Sequence, residues 1–253
     1  MAWLGRMGRG KIGTLGVALS LSVGLFTERP ALADERKILV ASFENIQVIG
    51  DIKVQVQTGK APSARAKGDK RVLDALKLER VGMTLRVRLQ GALNNAKGVP
   101  MTQPLEVMLS TQAVKDATVS GNGTLQISEV KQQDAVRMLV AGNGSILVDR
   151  LLTDQFSAAI DGNGKIDIRD GKVRDGRVTL NGTGNFDAPN VPMRTLRLEH
   201  IGNGASSVNV GEEANIFNRG TGTINVGGSG SCFVKQAGSA AINCARIEKG
   251  SRK

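Results

Sequence analysis

Apolar and polar residues alternate along most of this chain. Between Lys37 and Thr58 the apolar positions are Phe43, Ile46 and Val48, then Ile52, Val54 and Val56, with Ile49-Gly50-Asp51 between the runs. A period of two predicts strands, here two in succession. Gly59–Lys70 reads as a polar, basic connection, and Val72–Leu78 as a strand or short helix. Met83–Leu89 alternates Met83, Leu85, Val87 and Leu89 and predicts a strand. Residues 94–104, with Pro100 and Pro104, read as a loop, and Leu105–Leu109 and Ala113–Val119 as strands.

From Gly121 onward the alternation becomes periodic on a longer scale. Gly-Asn-Gly begins at 121, 142, 162 and 202, Gly-Thr-Gly at 182 and 220, and a degenerate Gly-Ser-Ala at 238; the steps are 21, 20, 20, 20, 18 and 18 residues. After each triplet, apolar residues recur two and four positions beyond its last residue: Leu125/Ile127, Ile146/Val148, Ile166/Ile168, Phe186/Ala188, Val208 after the exception Ser206, Ile224/Val226 and Ile242/Cys244. A second arm precedes the next triplet, with Val136/Met138/Val140, Phe156/Ala158/Ile160, Val178/Leu180, Leu196/Leu198/His200, Ile216 and Val234 on its inward side. Two short strands per turn cannot close a core alone. Stacked copies can, each arm pairing with the same arm above and below. The expected fold is therefore all-β: a parallel β-helix or β-solenoid with rungs of about 20 residues, preceded by a β-rich N-terminal section.

On this reading each triplet is a corner. Glycine tolerates positive φ and asparagine is the next most tolerant residue, and Asn122, Asn143, Asn163, Thr183, Asn203, Thr221 and Ser239 should stack there and hydrogen-bond along the rod. A phosphate-binding glycine loop would need a helix after the triplet, and none is expected. Calcium-binding β-roll repeats place an Asp in every turn, whereas Asp161 and Asp167 flank one corner only.

The serial Gly-Asn/Thr/Ser-Gly rungs, preceded by Phe43, Ile46, Val48, Gly50, Val54 and Val56 and by the Leu85/Val87 strand, resemble one family over residues 42–245. This is the auto-transporter adhesin head known as the GIN domain, a domain of unknown function. The resemblance implies a secreted or periplasmic β-helix-like protein and brings no catalytic residues or cofactor. No membrane barrel of the kind an auto-transporter needs is read before Lys253.

The first 33 residues change the picture of location. Arg6, Arg9 and Lys11 precede an apolar run from Ile12 to Phe26, and Ala31 and Ala33 form an A-x-A site before Asp34. That is the three-part pattern of a signal peptide, too short in its apolar part for a membrane anchor of roughly 20 residues. The expected protein is exported, to the periplasm or beyond, and not transmembrane after cleavage. It divides into the signal peptide (1–33), the N-terminal β section (34–120), the solenoid (121–245) and a basic tail (246–253). Cleavage removes four of 34 Lys/Arg and one of 23 Asp/Glu, leaving 30 and 22, a net charge of +8. Such an excess favours anionic partners such as envelope glycolipid or acidic polysaccharide. The one Trp, Trp3, leaves with the signal and there is no Tyr, so the stacking platforms of specific nucleic-acid and many sugar grooves are absent.

Few residues suggest chemistry. Arg137, Arg177 and Arg197 share an outward position on the second arm, interrupted by Ser157, and predict an anion-binding stripe set against the alternative of a solvated charged face. Asp161, Asp167 and Asp187 are the nearest approach to a glycosidase pair, with Asp167 and Asp187 neighbours on successive rungs; solvated carboxylates are the simpler reading. His200, the single His, points inward between Leu180 and Asn218 and reads as a buried, hydrogen-bonded residue. Cys232 and Cys244 lie on inward columns around one corner and, in an exported chain, predict a structural disulfide; two buried thiols are the alternative. The small polar outward residues of the first arm, among them Thr124, Ser145, Asn185, Thr223 and Asn243, suit a surface offered to a partner. The function expected is thus a non-enzymatic envelope or extracellular binding module. A carbohydrate-active enzyme and a purely structural module are the alternatives.

Overall fold

The structure, a computed structural model, describes residues 34–91 and 105–249. The expected signal peptide, the loop at 94–104 and the last residues of the tail lie outside the described residues. The chain forms β1 (Asp34–Ile38), β2 (Asn45–Ile49), β3 (Lys53–Gln57), β4 (Ser63–Gly68), α1 (Lys70–Ala75), β5 (Leu76–Val81), β6 (Thr84–Leu89), β7 (Glu106–Ser110) and β8 (Asp116–Gly121). Then come the long elements β9 (Thr124–Gly142), β10 (Ser145–Gly162), β11 (Lys165–Gly182), β12 (Asn185–Gly202), β13 (Ala205–Asn218), β14 (Thr223–Gln236) and β15 (Ala241–Lys249). The parallel β-solenoid expected from the repeats is the fold. No helix among the described residues is long and apolar enough to cross a membrane.

Each long element is one turn, running from the residue after a triplet to the first glycine of the next corner, except in the shorter turns at the C-terminal end. Turns pair in parallel and in the register that the sequence columns demand: Ile146 with Leu125 and Ile166, Ala158 with Met138 and Val178. The columns are buried along most of the rod, with Leu125, Ile127, Ile146, Ile166, Ile168 and Phe186 fully enclosed, and are half-buried at Val234, Ile242 and Cys244 at the C-terminal end. Each such side chain adds roughly 1.5–3 kcal/mol by leaving water. Between β10 and β11 the pairing runs in three pieces, Ser145–Val148, Arg150–Thr153 and Gln155–Gly162. The turn therefore has a short third side between the two arms, where Val130, Leu151, Val173, Met193 and Val210 are buried.

The corners work differently from the sequence expectation in one respect. No non-glycine residue among those described has positive φ, so the middle Asn or Thr does not need it. The first glycine supplies the turn, as at Gly162 (φ +121°). The second is required by space. A Cβ on Gly164 would stand 2.6 Å from the carbonyl oxygen of Gly144 in the turn below. The middle side chains then face out and link the turns. Asn143 Nδ2 donates to Asn122 Oδ1 (3.0 Å), Asn163 Nδ2 to Asn143 Oδ1 (2.9 Å), Thr183 Oγ1 to Asn163 Oδ1 (2.5 Å) and Thr221 Oγ1 to Asn203 Oδ1.

The N-terminal section extends this ladder. β2 and β3 flank Gly50 (φ +97°) and pair in parallel with β8 and with the first arm of β9. Ile49-Gly50-Asp51 is thus an additional corner, and Gly50 N–H donates to Ser120 O at 2.9 Å. β6 and β7 pair in parallel with β2 and β3 on the other side, and β5 and β4 fold back on them as antiparallel additions, β4 on β7 and β5 on β6. The stretch read as a polar connection contains β4, whose inward residues Ala64, Ala66 and Gly68 are small and so give a weak apolar signal. Val72–Leu78 holds both alternatives in sequence, the end of α1 and the start of β5. At the other end β15 carries the ladder to Lys249, into the segment read as a basic tail.

Candidate functional site

The second arm's outward column is the ladder that matters. It runs Asp116, Arg137, Ser157, Arg177, Arg197, Asn215 and Phe233, each in register with the next. The three arginines are therefore brought onto one line, as the repeat spacing predicts. With strands about 4.8 Å apart, Arg177 and Arg197 are one step apart and Arg137 and Arg177 two steps, roughly 10 Å. Arg137, Ser157, Arg177 and Arg197 line a depression of about 340 Å³ together with Gln155 and Asp175.

Their electrostatic states differ. Arg137 lies 3.7 Å from Asp116 at the N-terminal end of the column. Arg197 stacks over the Phe217 ring at 4.4 Å, a cation–π contact that fixes the guanidinium without neutralising it. Arg177 makes no ion pair with any described residue. Asp175, at the edge of the depression, is held below the usual carboxylate range by the Thr195 hydroxyl and then by Arg174 and Arg194. Its charge is thereby committed to those partners, Arg174 Nε at 3.0 Å and Arg194 at 2.8 Å.

The other candidates are structural in character. Asp167 and Asp187 are register neighbours on the first arm, and one Lys165 ammonium lies 3.0 Å from each. Hydrogen bonds to both carboxylates raise the Lys165 pKa. Asp161 accepts from Asn181 Nδ2 at 3.1 Å. Two carboxylates tied to one cation do not divide into the acid and base of a glycosidase. Outward polar residues of the first arm bond to one another between turns, Ser145 to Thr124 and Asn243 to Asn225.

His200 is fully buried between Leu180 and Asn218, as its position predicts, but neither ring nitrogen completes a hydrogen bond. The Asn218 amide and the Gly204 backbone lie near enough to favour the cation slightly. Asn218 is occupied instead with the next corner, exchanging hydrogen bonds with Gly220 at 3.0 and 3.2 Å. Burial dominates and pushes the imidazole below its ordinary value. Ser206, the one polar break in the first-arm column, is also buried with its hydroxyl unpartnered. Cys232 and Cys244 are joined in a disulfide, with Cα atoms 6.5 Å apart. It ties the inward side of β14 to the last turn. Among the described residues no group of three or more His, Cys, Asp or Glu side chains could hold a metal ion.

Sequence reasoning missed a groove on the third side. It has a volume of about 830 Å³, and its accessible apolar residues are half-buried Leu152 and exposed Pro192, the side chains of Val173 and Met193 being buried in the core. Its residues sit at offsets outside the two arms, where no column was read.

Solved structures share this architecture. A putative lipid binding protein from Parabacteroides distasonis is 20% identical, with a TM-score of 0.64, covering 87% of this chain and 98% of its own. A putative adhesin from the same organism is 20% identical (TM-score 0.60; 83% and 96% covered). One from Bacteroides fragilis is 16% identical (TM-score 0.68; 86% and 96% covered). At these identities the likeness is one of fold. No curated protein matches the chain. Residues 42–230 match the family described as putative auto-transporter adhesin, head GIN domain, and the chain belongs to that family.

Proposed function

We propose that this protein is an exported, non-enzymatic binding module of the cell envelope. It holds anionic envelope glycolipid or acidic polysaccharide along the Arg137–Arg177–Arg197 stripe. The observation that carries the reading is the register of the three arginines, which places Arg177 and Arg197 on adjacent turns and Arg137 on the same line one turn beyond Ser157, with Arg177 unpaired. Like charges opposite each other on neighbouring strands cost stability, and a bound polyanion removes that cost. The N-terminal pattern of charged, apolar and A-x-A segments supports export, and the net +8 of the remaining chain supports an anionic partner. The family and the relatives described as adhesins and as a lipid binding protein support a binding role.

The test is binding of the purified protein to vesicles containing anionic glycolipid and to an immobilised acidic polysaccharide. Binding that weakens with salt and is lost in the Arg137→Ser/Arg177→Ser/Arg197→Ser variant is the expected result. Equal binding by that variant overturns the stripe.

A further inference from the structure

The two ends of the ladder are finished differently. At the N-terminal end the outermost strands are β1 and β5. β1 carries Asp34, Glu35, Arg36 and Lys37, β5 carries Lys77, Glu79 and Arg80, and α1, between β4 and β5, buries Val72 and Leu73. Charged edge strands of this kind discourage a further strand from adding. At the C-terminal end β15 is the last strand of the sheet, and no described strand lies on its outer side. Its residues 241–245 hold neither a charge nor a proline. The inward column is open there as well: Ile247, in register with the buried Cys232, is 50% exposed, and Ile242 and Cys244 are only half-buried.

This edge is complementary to itself. Arg246 and Glu248 are exposed and in register with Ser231 and Phe233 on the outward side, and neither is in an ion pair with a described residue. In an antiparallel pair of strands, directly opposed residues share a face of the sheet. A register of β15 against itself centred between two of the residues from Arg246 to Lys249 would oppose an inward side chain to an outward one. Centring on Arg246 or on Glu248 sets like charges directly against each other, which is destabilising. Centring on Ile247 sets each Arg246 opposite the partner's Glu248 and lays the two Ile247 side chains together over the open end of the core. A register centred on the uncharged residues 241–245 gains no such charge pairs.

We propose that the C-terminal edge is a homodimer contact, in which β15 pairs antiparallel with β15 of a second copy about a two-fold axis at Ile247 and joins two ladders end to end. A two-fold contact uses up the bare edge of both copies, and the charged strands at the N-terminal ends leave no place for a third. The contact uses none of the three arginines of the stripe, and the proposal does not rest on anion binding.

Sedimentation velocity of the purified protein over a range of concentrations tests this. A reversible equilibrium between monomer and dimer, with no larger species, is the expected result. Glu248→Arg sets arginine against arginine in both cross-strand pairs and should weaken the dimer by about tenfold or more. Arg246→Glu should do the same with glutamates. The double variant Arg246→Glu/Glu248→Arg should recover the dimer, because the two charges only trade places across the axis. All these side chains are exposed, so the thermal stability of the monomer should hold in each variant. The triple arginine variant should dimerise as the unaltered protein does, so the two surfaces can fail independently. A protein that stays monomeric at every concentration overturns the proposal, as does growth into trimers and longer chains. A dimer that Glu248→Arg leaves unchanged overturns it, and so does dimerisation lost in both single variants and not recovered in the double one.

Discussion

Arg177 and Arg197 are register partners on adjacent turns, like charge beside like charge, and only Arg197 has an aromatic ring beneath it. Such a pair is unfavourable for folding by a few tenths to about 1 kcal/mol. Arg177→Ser should therefore raise stability in low salt by about 0.5 kcal/mol while weakening polyanion binding. Urea denaturation at two ionic strengths checks the first part. A variant that loses stability would mean that Arg177 is tied into the fold instead.

His200 couples the interior to pH. Its imidazole is neutral and buried in the folded chain, and its pKa is depressed. The unfolded chain takes up a proton from about pH 6.5 downward, where the folded chain does not. Stability contributed by the neutral ring is thus fully present above about pH 6.5 and is lost as pH falls toward the folded value. His200→Leu continues the column begun by Leu180. Thermal melts between pH 7.5 and 5 should show a shallower decline for this variant than for the unaltered protein. Equal slopes would mean that other groups set the acid response.

Gly164→Ala should be among the most damaging small substitutions. The added methyl meets the Gly144 carbonyl at 2.6 Å, a backbone atom held by the ladder. Overpacking of this kind costs about 1–3 kcal/mol. Asn143→Ala at the neighbouring corner loses one bond to Asn122 and one from Asn163; both are exposed, so about 1 kcal/mol is expected. Chemical denaturation of the two variants should rank them in that order.

Reduction of Cys232–Cys244 should loosen one end. A bridge closing a loop of this length, with a sequence separation of 12 residues, stabilises by about 3 kcal/mol in the chain-entropy account. Because turns contact mainly their neighbours, the effect should concentrate in β14 and β15. Hydrogen exchange with and without reductant should speed up there and stay unchanged in β10 and β11. Uniform acceleration would refute the local character of the staple.

Much of this organisation is legible in the residues. Period-two columns fix which side chains point inward, so Ile166, His200 and Cys232 can be placed from spacing alone, and the arginines align for the same reason. What escapes has physical causes. β4 buries only Ala64, Ala66 and Gly68, too little apolar surface to register as alternation. Gly50 turns a corner with a single glycine and no triplet, so it carries no repeat signal. The third side buries Val130, Leu151, Val173 and Met193 singly, and one apolar residue per turn makes no periodic signal. The groove follows from that side. The change in repeat length from 20 to 18 residues also lands there: Asn209 pairs with Pro192, leaving Pro189–Val191 without partners on β13.

The in-register stacking makes the molecule a ruler. Each turn adds one strand spacing, about 4.8 Å, to every line of side chains that runs along the rod, the arginine stripe among them. Duplicating a single 20-residue segment lengthens all of them together and needs no new kind of contact, since the added turn sees the same neighbours as those it copies. The reach of the protein toward a long ligand is therefore set by the number of turns, independently of the residues that recognise it.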